Sequence, residues 1–119
     1  MTTDELKKFC AALPGAQAVL YGAPSNILVY AVGGKKFAYF KTSMPERWRF
    51  SLRANAGRFI ELTDMPGVKP ARYMGRFHWV TIIDVAQFPA DYLAELVRDS
   101  HARAVAGLTR AQRAALASA

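Results

Sequence analysis

The stretch Asn26–Lys41, NILVYAVGGKKFAYFK, decides the fold. Two runs of β-branched and aromatic residues flank Gly33-Gly34. A Gly-Gly pair between β-formers is the pattern of a two-residue hairpin, because both turn positions need positive φ and glycine takes it without steric cost. Ile27 to Val32 is therefore expected to pair with Lys36 to Lys41 as antiparallel strands. Upstream, QAVLYG (Gln17–Gly22) reads as another strand, set off by Ala23-Pro24-Ser25-Asn26. Downstream, ERWRFSLR (Glu46–Arg53) alternates with a period of two. Trp48, Phe50 and Leu52 share one face, and Arg47, Arg49, Ser51 and Arg53 share the other, which predicts a strand buried on one side only. A further strand is expected at FHWVTIID, with Phe77, Trp79, Thr81 and Ile83 opposite His78, Val80, Ile82 and Asp84.

Helical spacing brackets this sheet. Thr2 with Glu5 three residues later fits a capping box, and Leu6, Phe9, Cys10 and Leu13 recur on one helical face before Pro14-Gly15 ends it. NAGRFIELTDM predicts a short helix carrying Phe59, Ile60 and Leu62, closed by Pro66-Gly67, where proline presets φ and glycine suits a type II turn. The longest helical pattern, from Pro89, places Tyr92, Leu93, Leu96 and Val97 on one side and stops at Gly107. The Ala-rich tail, about 109–119, is expected to add a last helical turn or to fray. Strands joined by short turns must be antiparallel. The expectation is one α+β domain over 1–119, a two-layer sandwich with an antiparallel sheet of about five strands and its helices on one face. The other face is then available to a partner.

At 119 residues the chain buries roughly 65% of its unfolded surface in a single core. No segment reaches the roughly 18 apolar residues of a membrane span. The first residues lack a basic start and an apolar run, so a cytoplasmic, reducing location is expected, in keeping with a single cysteine, Cys10. The net charge of +7 is distributed unevenly. Between Lys35 and Arg76 stand ten cations and three anions, whereas the remainder carries six of each. The excess charge thus belongs to the central third, which points to an anionic partner there.

Sequence signatures of enzymes are sparse. There is no Gly-x-Gly-x-x-Gly, no phosphate-binding Gly-Lys-Ser/Thr loop and no His-Glu-x-x-His. The GGKK run lacks the spacing and following helix of a phosphate loop, so a hairpin turn is expected. His78 and His101 form a conceivable metal or acid/base pair but fall in separate elements. Cys10 lies on the apolar stripe of the first helix, where a small buried hydrophobe is the default. Asp84, at a strand end, is expected to cap a turn. Neither a catalytic residue nor a cofactor is expected. Arginine can grip phosphates with two parallel donors and stack on bases, and Tyr30, Tyr39, Phe40 and Tyr73 lie close to the basic segment in sequence.

Several short motifs resemble the MmcQ/YjbR family of small bacterial proteins. They are LPGA at Leu13–Ala16, YGAPSN, VGGKKFAYF, FSLR and, most specifically, PGVKPARYMGRFHWVTI at Pro66–Ile82. DSHARAVAGLTRAQR stands where the family usually shows Ser-Tyr, with His101 in place of the Tyr, and Arg53 stands where lysine is commoner. The resemblance spans about residues 5 to 113. It implies an arrangement of roughly α-β(3)-α-β(2)-α, grouped with secretion-chaperone-like and CyaY-like folds, and a DNA-binding role through a double-wing motif. On that basis the Lys35-Lys36 hairpin and the Lys69 to Arg76 loop are expected to act as wings, with Arg47, Arg49 and Arg53 between them. The candidate nucleic-acid-binding residues are Lys35, Lys36, Lys41, Arg47, Arg49, Arg53, Lys69, Arg72, Tyr73 and Arg76. The expected partner is DNA, held mainly by phosphate contacts. The alternative is a small anionic molecule or a partner protein on the open sheet face. No membrane association is expected, and the chain is expected to be a monomer or weak homodimer.

Overall fold

The computed structural model describes residues 1–44 and 49–118. Gly33 and Gly34 have φ of 55° and 81° and join β2 (Ile27–Val32) to β3 (Lys35–Lys41), with Val32 opposite Lys35. A Cβ on Gly33 would meet Leu108 Cδ2 at 2.6 Å, so this turn is also pressed against the C-terminal end of the fold. β1 (Ala16–Tyr21) pairs with β2, and β4 (Phe50–Arg53) pairs with β3. β6 (Trp79–Ile82) follows β4, and β5 (Val68–Pro70) closes the far edge. The sheet is antiparallel with order β1-β2-β3-β4-β6-β5.

Six strands replace the expected five, because Val68–Pro70 pairs with β6 where the sequence reads as loop. A proline is compatible with this position since β5 is an edge strand, where a missing N–H disturbs no further ladder. β6 begins at Trp79 and not at Phe77. Gly75–Phe77 forms a 3₁₀ turn, and His78 takes a left-handed φ of 67°, which ends the alternation there. The part of the alternating run at 45–48, including Arg47 and Trp48, lies outside the described residues. Within β4, Phe50 and Leu52 face the core as expected; on the other face Arg53 is exposed, but Ser51 is only 3% exposed. Pro66-Gly67 makes the expected turn, with Gly67 at φ 81° and Val68 N–H donating to the Met65 carbonyl at 3.3 Å.

One irregularity sets the faces of the sheet. Tyr30 faces Ala38 while Ala31 faces Lys36, so Phe37 is an extra residue in β3, a β-bulge. Strict alternation would put Phe37 with Tyr39 and send Lys36 under the helices. With the bulge, Phe37, Ala38 and Phe40 all enter the core at 0% exposure. Lys36 instead shares the opposite face with Tyr39 and Lys41.

The helices are α1 (Thr3–Ala12), α2 (Ala56–Thr63), α3 (Ala90–Ala106) and α4 (Arg110–Ser118). The Thr2/Glu5 capping box forms in both directions, and its hydrogen bond to the Thr2 backbone is the main cause holding the Glu5 carboxyl below its usual pKa. Asn55 caps α2, and Asp84 caps the turn after β6 by accepting from Ala86 N–H. The tail is helical, with Leu116 against the core. Leu6 and Cys10 of α1, Leu62 of α2, and Leu93, Leu96 and Val97 of α3 join Phe37, Phe40, Phe50 and Leu52 in one cluster, so the helices cover a single sheet face. Each fully buried Phe or Leu side chain contributes roughly 1.5–3 kcal/mol.

Where β3 and β4 diverge beyond the bulge, α3 completes the ladder. Ser100 Oγ donates to the Phe37 carbonyl at 2.6 Å and accepts from Arg53 N–H at 3.2 Å. His101, beside it, sets its ring edge-on to Phe37 at 5.1 Å and donates from Nε2 to the Pro14 carbonyl at 2.8 Å. Ser100→Ala leaves these buried backbone groups without a partner, and a loss of about 1–3 kcal/mol is expected. In urea the unfolding midpoint should fall with its slope unaltered. Burial also pushes the Cys10 thiol up to about 12. Iodoacetamide at about pH 8 should therefore leave Cys10 unmodified in the folded protein and alkylate it in denaturant. Fast modification of the folded form would contradict the packing of α1 described above.

Candidate functional site

The face of the sheet away from the helices is concave. Its floor is built from alternate residues of successive strands: Ile27 and Val29 of β2, Tyr39 of β3, Ser51 of β4, and Trp79 and Thr81 of β6. Ser51 Oγ and Thr81 Oγ1 lie 2.8 Å apart as a buried hydrogen-bonded pair, and the Tyr39 and Trp79 rings pack at 5.6 Å with planes tilted by 30°. Above this floor stand Lys36, Lys41, Arg49, Lys69 and Arg72, with Tyr73 and Met74 forming part of one wall. The space enclosed is about 350 Å³. Among the described residues lining it, none is a carboxylate.

Four of these cations, Lys36, Lys41, Lys69 and Arg72, reach this face for local reasons. Lys36 arrives through the bulge. Lys41, at the end of β3, donates from Nζ to the Ser25 carbonyl at 3.2 Å, which leans it over the β2 end of the concavity. Lys69 lies opposite Thr81 in the β5–β6 pair, so edge pairing sets its direction. Arg72 and Tyr73 belong to the loop between β5 and β6. That loop is closed at its base by Ala71 N–H donating to the Trp79 carbonyl at 2.9 Å.

A second recess, also of about 350 Å³, lies beside the first and shares Lys36, Met74 and Trp79 with it. Lys35, Arg53 and Arg103 line it. Of the ten sequence-level candidates, Lys36, Lys41, Arg49, Lys69, Arg72 and Tyr73 thus meet in the first recess, and Lys35 and Arg53 in the second. Arg76 lines neither; its guanidinium sits over the Phe77 ring at 4.8 Å. Arg47 lies outside the described residues. Two aromatics noted beside the basic segment, Tyr30 and Phe40, face the helices, pack edge-on at 5.9 Å and are 5% and 0% exposed. They are core residues, and burial raises the Tyr30 hydroxyl above its usual pKa.

The sequence reading did not identify Met74, Ser51, Trp79, Thr81 or Arg103 as lining residues. Arg103 is distant in sequence from the basic segment, and only the docking of α3 brings it near Lys35. Arg58, counted in the basic segment, is used elsewhere. It bonds Glu95 of α3, lies 5.3 Å from the Tyr92 ring, and has its pKa raised by hydrogen bonding to Tyr92 first and Glu95 second. The two histidines serve different neighbours, with His78 packed against Phe59 at 5.5 Å. Among the described residues no three His, Cys, Asp or Glu side chains are grouped to hold a metal ion. No described helix is long and apolar enough to cross a membrane.

Comparison with known proteins places this architecture. No curated protein matches the chain. Among solved structures, the Deinococcus radiodurans protein DR2400, a DUF419 domain, superimposes with a TM-score of 0.83 at 28% identity, covering 98% of this chain and 88% of that one. A Pseudomonas syringae protein superimposes with a TM-score of 0.72 at 16% identity over 87% of this chain and 99% of its own, a likeness of fold alone. The family model described as YjbR matches residues 11–103, a span from the end of α1 through most of α3 that includes all the described lining of the first recess; the chain belongs to the YjbR family.

Proposed function

We propose that the protein binds DNA without chemistry of its own, using the concave face as a basic surface that holds phosphates. The observation that carries this proposal is the convergence of Lys36, Lys41, Arg49, Lys69 and Arg72 around one concavity with no carboxylate among its described lining residues. A surface where positive charge is concentrated in this way attracts an anion with repeated charges. The β2–β3 hairpin contributes Lys36 and the β5–β6 loop contributes Arg72 and Tyr73 to the recess lining, and on this proposal they play the part of the two wings expected from the family resemblance. The wing residues differ in their duties: Lys36 and Arg72 face the trough, while Arg76 is engaged with Phe77.

A second reading is favoured by one specific feature. At about 350 Å³ the first recess is the size of a small-molecule cleft, and its Ser51–Thr81 pair and Tyr39–Trp79 floor offer hydrogen bonds and an aromatic surface to a compact anion. Thermal-shift measurements with anionic metabolites separate the two, since a saturable shift with one compound and none with DNA favours the small ligand.

Phosphate contacts make binding salt-dependent, and about five of them give a log-log salt slope near −4.5 on duplex DNA. Affinity should be measured at several salt concentrations for a labelled oligonucleotide in duplex and single-stranded forms. Lys36→Glu and Arg72→Glu should each weaken binding by roughly tenfold or more and flatten the slope by about one. Unchanged affinity in both variants would remove the trough from the binding surface.

A further inference from the structure

We infer that the form of nucleic acid this face takes is a single strand, with an unpaired base stacked on Tyr73 and the flanking phosphates on the trough cations. The inference rests on the proposed binding of nucleic acid and narrows its substrate class.

The first observation is the placement of Tyr73. It is 89% exposed, more than any other large hydrophobic residue among those described. It stands on the wall of the cationic concavity, next in sequence to Arg72 and Met74, which line it too. Its backbone is held at φ 66°, a left-handed conformation uncommon for an aromatic residue and found where surrounding structure imposes it. Here the loop is tied by Ala71 N–H to the Trp79 carbonyl and by Met74 N–H to the Ala71 carbonyl at 3.3 Å. The ring is therefore presented to solvent from a braced loop, which lowers the ordering cost of a stacking partner.

The second observation is the shape of the charged surface. Because the two recesses share Lys36, Met74 and Trp79, the cations form a track, from Lys41 and Arg49 across Lys36 to Lys35, Arg53 and Arg103. A mononucleotide needs only one of these recesses. A polyanion with a charge at each repeat can follow the whole track.

Duplex DNA turns its bases inward and offers this surface phosphates alone, so a duplex would leave Tyr73 without a partner. A single strand presents phosphates and base faces together, and a basic groove with aromatic side chains is the arrangement that binds it with little sequence preference. DNA and RNA share this chemistry.

The test uses the full chain and labelled oligonucleotides of about 12 nucleotides, within the length a single groove occupies: oligo-dT, oligo-rU and a duplex of equal length. Single strands should bind at least about tenfold tighter than the duplex. Tyr73→Ala should weaken single-strand binding by roughly 5- to 150-fold, the range for losing one stacked base, with the salt slope unchanged. Tyr73→Phe, which keeps the stacking face, should retain the affinity. A preference between dT and rU identifies the natural strand and supports the inference in either direction. Equal binding of duplex and single strand, with Tyr73→Ala neutral, would overturn it while leaving the basic-surface proposal standing if Lys36→Glu still weakens both. Failure of both the single strands and the duplex to bind would overturn both.

Discussion

The bulge at Phe37 is the constraint from which the rest of the architecture follows. An extra residue in β3 lets Phe37 and Ala38 both point into the core, and it reverses the phase of everything before it in the strand. Without that reversal Lys36 would be driven under the helices, where an unpaired ammonium carries a heavy desolvation penalty. The bulge also opens the β3–β4 ladder, and α3 repairs the opening with the Ser100 hydroxyl. One local irregularity thereby fixes three things together: the core face of β3, the docking position of α3, and the delivery of a cation to the open face. It also explains why α3 supplies Arg103 to the second recess, since the same helix segment that satisfies the bulge lies alongside Lys35.

The open face follows from the same division of labour. On the helix side the sheet is a continuous apolar layer of Phe, Leu and Val. On the other side, buried polar groups are paired with one another, as Ser51 is with Thr81, and the cations stand at the margin where water or a ligand can reach them. Burying a polar pair is tolerable when both members are satisfied, and no described buried side-chain polar atom lacks a partner.

Much of the fold was legible in the sequence because it rests on local chemistry. Gly33-Gly34 could hardly do anything but turn, Thr2 and Glu5 cap one another, and Pro66-Gly67 turns as their φ preferences require. β5 was not legible because three residues ending in proline carry no periodic signal, and their strand character comes only from pairing with β6. The start of β6 was misjudged because Phe77 and His78 continue the apolar alternation in sequence, while His78 takes a left-handed backbone that alternation cannot reveal. As for the site, the charge cluster was visible as composition, and six of its ten candidates do meet in one recess. The sequence could not distinguish Tyr39 from Tyr30 and Phe40, since facing depends on strand phase. It could not pair Arg58 with Glu95 or bring Arg103 to Lys35, because both follow from how helices dock on the sheet.

Trp79 shows how closely the site and the fold are joined. Its backbone pairs with Arg53 in the β4–β6 ladder and accepts the Ala71 N–H that closes the β5–β6 loop. Its ring packs on Tyr39 in the floor of the first recess and forms part of the second, with only 4% of the residue exposed. A side chain so buried contributes shape and support more than contact area, and the groups that reach outward stand around it. The loop bearing Arg72 and Tyr73 is anchored to the backbone of the same residue, so the backbone from which those two side chains project is tied to the sheet. The geometry of the basic face is thus inherited from the rigidity of β6, and the small β5 edge, which looks dispensable in sequence, completes the brace from the other end of the loop.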